Sequence, residues 1–275
     1  MTLKEKLSQY NKEGQALLAA NFYNFETLDG ILRAAKKSNE AVILQLSEST
    51  INYLGIKMAA GMAFKGLEQY GVTGWLHLDH GSSIELVKRC LDEGFNSVMI
   101  DASEKSFAEN VKLTRDVVKL AESYNANVEA ELGYVAKLGQ EQLTSAFTQP
   151  AEVKMFTEQT GVNALAIAIG SAHGFYKSTP VLQIELLKSI HKVTDTALVL
   201  HGGSGIPDIQ IQEAIRAGIS KMNLATETKN IFMKKLKQLL TDSDEIDLRK
   251  VFPKAIDEVE TLIFNKLNMI KAAVR

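Results

Sequence analysis

Short apolar runs alternate with longer stretches of helical period along almost the whole chain. The runs fall at 17–22, 41–46, 74–79, 96–101, 127–132, 164–169, 197–202 and 219–224. Several, such as AVILQL and ALAIAI, are nearly unbroken in apolar residues, the pattern of a parallel strand covered on both faces. Between them, apolar residues recur every three or four positions, as in FETLDGILRAAKKS, IELVKRCLDEG and EVKMFTEQTG. Eight such alternations predict an α/β fold closed into a (β/α)8 TIM barrel. An open doubly wound sheet is the alternative, but no G-x-G-x-x-G follows the first run. The 275 residues are close to the roughly 250 of a typical barrel, so one domain spanning 1–275 is the economical reading.

Polar residues interrupt this pattern in one place. Asn21, Gln45, Asp79, Asp101, Glu131, His201 and Asn223 all stand at the C-terminal ends of the runs. In a barrel those ends make one rim, and chemistry is built there. His77 and Asp79 are two apart in LHLDHG and share a strand face, while His80 is placed where the strand runs out into its loop. His173, in GSAHG, follows another strand, and His201, in HGGSG, ends the next. Three imidazoles at three strand ends form an open catalytic zinc site with room for substrate oxygens. The other two histidines need no such role: His77 is placed as a hydrogen-bond partner behind the site and His191 on a helix surface. The glycines of HGGSG and GSAHG let backbone approach an anion, and the helix opening near PDIQIQEAI offers its N-terminus to it. Tight turns would explain either glycine cluster taken alone.

Composition narrows the partners. The 31 basic and 33 acidic residues leave a net charge of −2 and form no basic block, so neither nucleic acid nor a membrane surface is predicted as a partner. One cysteine, Cys90, allows no internal disulfide and fits a reducing cytoplasm. Its place in an amphipathic helix makes it a small buried hydrophobe. The opening MTLKEKLSQYNKEG reads as a polar helix, neither signal peptide nor anchor.

In order along the chain stand NFYNFET, QLSES with NYLG, LHLDHGSS, GFNSVMIDAS, VEAELG, TGVNALAIAIGSAHGFYK, LVLHGGSGIP and KMNLATE. This series resembles the class II fructose-bisphosphate and tagatose-bisphosphate aldolase family. The resemblance implies zinc on His80, His173 and His201, with Asp101 and Glu131 near the metal. It implies Asp79 as the acid/base at the substrate hydroxyl. Asn21, Gly174, Lys177, Gly202, Gly203, Ser204, Asn223 and Thr226 would surround the phosphorylated sugar, with Ser47 and Arg249 at its distal phosphate. That arginine comes from a neighbouring subunit in the family, which implies a homodimer or homotetramer. A monovalent cation, Na+ or K+, is admitted beside zinc. Lys221 lies on the last strand run, but three histidines make a Schiff-base lysine unnecessary.

The chain departs from the family after VEAELG. A glycine-rich loop with an acidic pair is replaced by YVAKLGQEQLTSAFTQP. Glu141 is the nearest candidate for the loop acid, its register shifted, and an exposed loop charge is the competing reading. Glycines and the polar run QEQLTS predict that 133–149 moves and carries Glu141 to the zinc on closing. Substrate signals diverge: Lys177 and HGGSG point to fructose bisphosphate, NLATETK to tagatose bisphosphate, and a related phosphorylated-ketose aldolase stays open. A non-catalytic zinc-binding partner barrel is a further alternative, and a zinc hydrolase on the same fold a weaker one.

Overall fold

In the computed structural model, residues 1–133, 135, 147–176 and 178–273 are described. Its strands are β1 (Leu17–Asn21), β2 (Val42–Ser47), β3 (Gly74–Gly81), β4 (Ser97–Ile100), β5 (Asn127–Leu132), β6 (Ala164–Ile167), β7 (Ala197–Leu200) and β8 (Ile219–Leu224). All pair in parallel and in chain order, and β8 pairs back onto β1. The predicted eight-stranded barrel is therefore the observed one, with most strand ends within two residues of the apolar runs.

Helices cover the outside. They are α1 (Leu3–Glu13), α2 (Phe25–Ser38), α3 (Glu48–Leu54), α4 (Ile56–Tyr70), α5 (Ile84–Asp92), α6 (Phe107–Glu122), α7 (Pro150–Thr160), α8 (Ile184–His191), α9 (Asp208–Arg216), α10 (Thr226–Asp242) and α11 (Leu248–Lys271). Local chemistry sets several starts. Asn24, Ser83 and Ser106 each cap the next helix through a side-chain oxygen that accepts a backbone N–H, satisfying a donor the helix itself cannot. Cys90 is buried in α5, and burial pushes its thiol up to about 12, as a packing residue requires. His191 ends α8 half-buried rather than on an open surface; a Cβ on Gly218 would lie 2.5 Å from its ring.

The barrel interior is layered. At the lower end Leu17, Ala19, Ile43, Trp75, Ala164, Ala166, Ala197 and Val199 pack into a cluster separate from the core beneath the outer helices. Leu3 and Leu7 of α1 complete that cluster. The opening helix is thus not merely polar: its two leucines, four apart and on one face, plug the floor of the barrel. A capping box between Thr2 and Glu5 fixes where it begins. Leu7→Ala should destabilise the protein by about 2–5 kcal/mol while leaving activity per folded molecule unchanged. An unaltered denaturation midpoint would show that the plug contributes no stability.

Candidate active site and metal centre

β3 does not stop at Asp79; it runs two residues further, to Gly81. Against β4 its register slips between Leu78 and Gly81, and within that bulge His80 adopts a left-handed backbone with φ 51°. Neighbouring strand residues normally face opposite ways. The bulge re-aims one of them, so the consecutive Asp79 and His80 both turn toward the barrel mouth. Holding a non-glycine residue there costs about 1–3 kcal/mol.

His80, His173 and His201 meet at that mouth. Ring centroids are 5.0 Å apart for His80–His173, 4.8 Å for His80–His201 and 5.8 Å for His173–His201. With Glu131 they form a group whose ligating atoms all lie within 4.8 Å of one another. Three of these atoms are buried and make no hydrogen bond: His80 Nε2, His201 Nδ1 and Glu131 Oε2. The last two approach to 3.0 Å without hydrogen-bond geometry. Buried polar atoms are almost always satisfied, and here the orphans converge on one point. The donor set, imidazole nitrogens with one carboxylate oxygen, suits a borderline ion such as zinc.

The atoms facing away from that point are engaged. His80 Nδ1–H donates to Asp101 Oδ2 at 2.7 Å, and His201 Nε2–H donates to Glu129 Oε1 at 2.8 Å. Such bonds fix the tautomer and leave the opposite nitrogen free to ligate. Asp101, placed near the metal by the sequence, stands one step behind His80 and outside the four-residue group. Burial would raise its carboxyl, but the His80 and Ser103 hydrogen bonds hold it well below the ordinary carboxylate range. Burial likewise opposes a charge on His201, yet Glu129 and Glu131 push it up to about 10, so Nδ1 gives up a proton when it ligates. His173 is half-buried, and desolvation together with the charges of His201 and His80 pushes it down to about 4.

Asp79 lies buried next to this group, Oδ1 4.0 Å from His80 Nε2. Burial alone would raise its carboxyl; the charges of His80, His201 and Lys221 and the Asn21 hydrogen bond keep it below its usual value, and so ionised at neutral pH. Asn21 Nδ2 donates to one carboxylate oxygen at 2.9 Å and Asn223 Nδ2 to the other at 3.3 Å. Both amides are also held from behind, Asn21 by Gln45 at 2.9 Å and Asn223 by Lys221 at 2.8 Å. Asn21 and Asn223, expected around the sugar, thus have their amides committed to Asp79.

The phosphate-type loops are tightly joined. A Cβ on Gly202, whose φ is +67°, would lie 2.3 Å from Ala172 O, and one on Gly203 would lie 2.7 Å from Asn223 O. Glycine is therefore needed for the loop after β7 to touch the loop after β6 and the end of β8. Tyr176, which carries no role in the sequence reading, clasps the two loops: its hydroxyl accepts from Ala172 N–H and donates to Gly202 O, each at 2.8 Å. Ser204 Oγ accepts from Glu227 N–H at 3.2 Å, and Gly205 N–H donates to Glu227 at 2.6 Å. These bonds tie HGGSG to α10, which Thr226 begins, rather than to α9, the helix that opens at PDIQIQEAI. Gly174 follows His173 in the same loop. Ser47 caps α3 and pairs in register with Asp79. Arg249, on the first turn of α11, is 89% exposed and bonded to Asp247. Glu141 and Lys177 lie outside the described residues, as does most of 133–149.

A family model described as "Fructose-bisphosphate aldolase class-II" matches residues 1–275. The chain is 38% identical to a fructose-bisphosphate aldolase of Geobacillus stearothermophilus, covering 97% of this chain and 95% of that protein. It is 34% identical to one from Helicobacter pylori, over 98% and 97% of the two chains. Among solved structures it is similar to the YdjI aldolase of Escherichia coli K12, with TM-score 0.86, 28% identity and coverage of 98% and 96%.

Proposed function

Since the chain belongs to the class II fructose-bisphosphate aldolase family, a family of lyases, we propose that it is a zinc-dependent enzyme cleaving a ketose 1,6-bisphosphate. Fructose 1,6-bisphosphate is the foremost substrate of this reading, giving dihydroxyacetone phosphate and an aldehyde such as glyceraldehyde 3-phosphate. The observation that carries it is the convergence of the orphaned His80 Nε2, His201 Nδ1 and Glu131 Oε2 beside an ionised Asp79.

His80, His173 and His201 would hold the zinc, with Glu131 within reach. When bound, zinc supplies a Lewis acid that withdraws electron density from the ketone. Asp79 accepts the hydroxyl proton as the carbon–carbon bond breaks and returns it in the reverse direction, while the electron pair stays on the ketose half, whose carbon takes a proton, with Glu141 as the donor in this reading, before dihydroxyacetone phosphate leaves. Asn21 and Asn223 keep its oxygens in place. Gly174, Gly202, Gly203, Ser204 and Thr226, with Lys177, cradle the phosphate of the ketose half. Ser47 and a partner copy's arginine, equivalent to Arg249, take the distal phosphate, so the working form is a homodimer or homotetramer. The exposure of Arg249 favours that arrangement. Na+ or K+ belongs to the same reading, as do a single domain over 1–275 and a cytoplasmic setting. No helix among the described residues is long and apolar enough to cross a membrane.

A second reading, tagatose 1,6-bisphosphate, rests on NLATETK. Purified protein assayed for dihydroxyacetone phosphate release from both sugars, with and without a chelator, tests the whole. Release from the fructose ester, abolished by chelation and restored by Zn2+, is expected. Preference for the tagatose ester would reassign the substrate. Chelator-resistant cleavage would remove zinc, and zinc uptake without cleavage of any ketose phosphate would leave a non-catalytic barrel.

A further inference from the structure

Beneath the metal group a charged layer crosses the barrel between the mouth and its apolar floor. Lys221 of β8 is fully buried, as are Glu129 of β5 and His77 of β3. Lys221 Nζ lies 2.9 Å from Glu129 Oε2 and donates to Asn223 Oδ1 at 2.8 Å. Glu129 turns its other oxygen to His201, and Asn223 turns its other end to Asp79. His77 also approaches Glu129, 3.8 Å away, but burial and the Lys221 charge push its imidazole down to about 3, so it stays neutral. It is held instead by Ser97, at 2.7 Å. Burial would raise the Glu129 carboxyl, and chiefly the Lys221 ammonium holds it below its ordinary value.

A buried ion pair of this kind is poor evidence of stability, because well-packed apolar residues of similar volume often do as well. What apolar residues could not do is orient the two groups above. Asn223 has an ammonium on one side and a carboxylate on the other, so only one orientation of its amide satisfies both. Glu129 faces an ammonium on one oxygen and an imidazole N–H on the other, so its carboxylate plane is fixed too. Resting on the reading of His201 as a zinc ligand and Asp79 as the base, we propose that Lys221 is the positioning residue of the centre. Its ammonium holds the metal ligand His201 through Glu129 and the base Asp79 through Asn223, setting metal and base relative to each other. The lysine thus serves an aldolase without forming a Schiff base.

The test compares full-length Lys221→Met and Glu129→Gln, singly and together, with wild type. Zn2+ release to a chromophoric chelator, the visible spectrum of Co2+-loaded protein, and kcat with KM at saturating Zn2+ are measured. Lys221→Met should release Zn2+ about 10–100-fold faster, the usual effect of losing a partner behind a ligand, and should shift the Co2+ spectrum. Glu129→Gln cuts only the arm to His201. Lys221→Met should therefore lose more kcat than Glu129→Gln at saturating Zn2+, with KM moving less. Wild-type release and spectrum in Lys221→Met, or a kcat no lower than that of Glu129→Gln, overturns the proposal. Should Lys221→Met not fold, the double variant leaves no unpaired buried charge and decides the matter: a kcat equal to that of Glu129→Gln alone overturns the arm through Asn223. A wild-type protein that takes up no Zn2+ overturns the zinc reading itself, and this inference with it.

Discussion

Asp79→Asn is expected to lower kcat by about 10²–10⁴-fold, the range for loss of a general acid or base, while zinc stays bound. The change keeps the size and planarity of the side chain and removes only its ability to take a proton. The wild-type carboxylate is ready to act because neighbouring positive charge holds it ionised in a buried place. The amide also disturbs its surroundings, since Asn21 and Asn223 both direct N–H groups at this position and an amide accepts on one side only. Some loss of thermal stability should accompany the loss of turnover. Steady-state cleavage together with zinc content separates the two effects. A variant that cleaves at nearly the wild-type rate would exclude Asp79 as the base.

Replacing His80, His173 or His201 singly with Ala should each strip most of the zinc from the purified protein. The loss in affinity should exceed the roughly 10–100-fold that removal of a residue behind a ligand produces. Each imidazole is one of only four ligating groups that stand within 4.8 Å of one another among the described residues, so losing one removes a large share of the donors. Metal content after gel filtration in chelator-free buffer is the measurement. Stoichiometric zinc in any of the three variants would take that histidine out of the ligand set.

The barrel and the three histidines were legible in the sequence because both depend on local pattern. Strand runs declare themselves by unbroken apolar character, and a strand's C-terminal end is named by the run itself. The contacts that organise the site are of another kind. Glu129 and His201 are 72 residues apart and meet only across the closed sheet. A glutamate and a lysine inside apolar strands look like solvent-facing positions until the barrel fixes which face is inside. The signal was present all the same: Glu129, His77 and Lys221 each stand two residues before Glu131, Asp79 and Asn223, and so share the inward face. Reading one member of each pair as a site residue implied the other. The bulge at His80 left no such trace, because a left-handed histidine carries no composition cue. Nor did Tyr176, whose role is to join two loops that only folding brings together.

The plug formed by α1 has a consequence for how the molecule assembles. The helix is made before the strands it seals, and half of that floor comes from the later part of the chain. Leu3 and Leu7 pack on Ala164, Ala197 and Val199, from the later half of the chain. Asn11 donates to Asp195 O at 3.0 Å and accepts from Ser220 Oγ at 3.3 Å. Barrel closure sets the same condition, since β1 cannot gain its second neighbour until β8 exists. Both sets of contacts span more than half of the chain, and contacts of large sequence separation slow folding. An amphipathic helix whose docking floor is incomplete therefore accompanies the nascent chain through much of synthesis. Its exposed leucines are the kind of surface that chaperones and aggregation compete for, and the same two side chains that close the floor of the native barrel are its early liability.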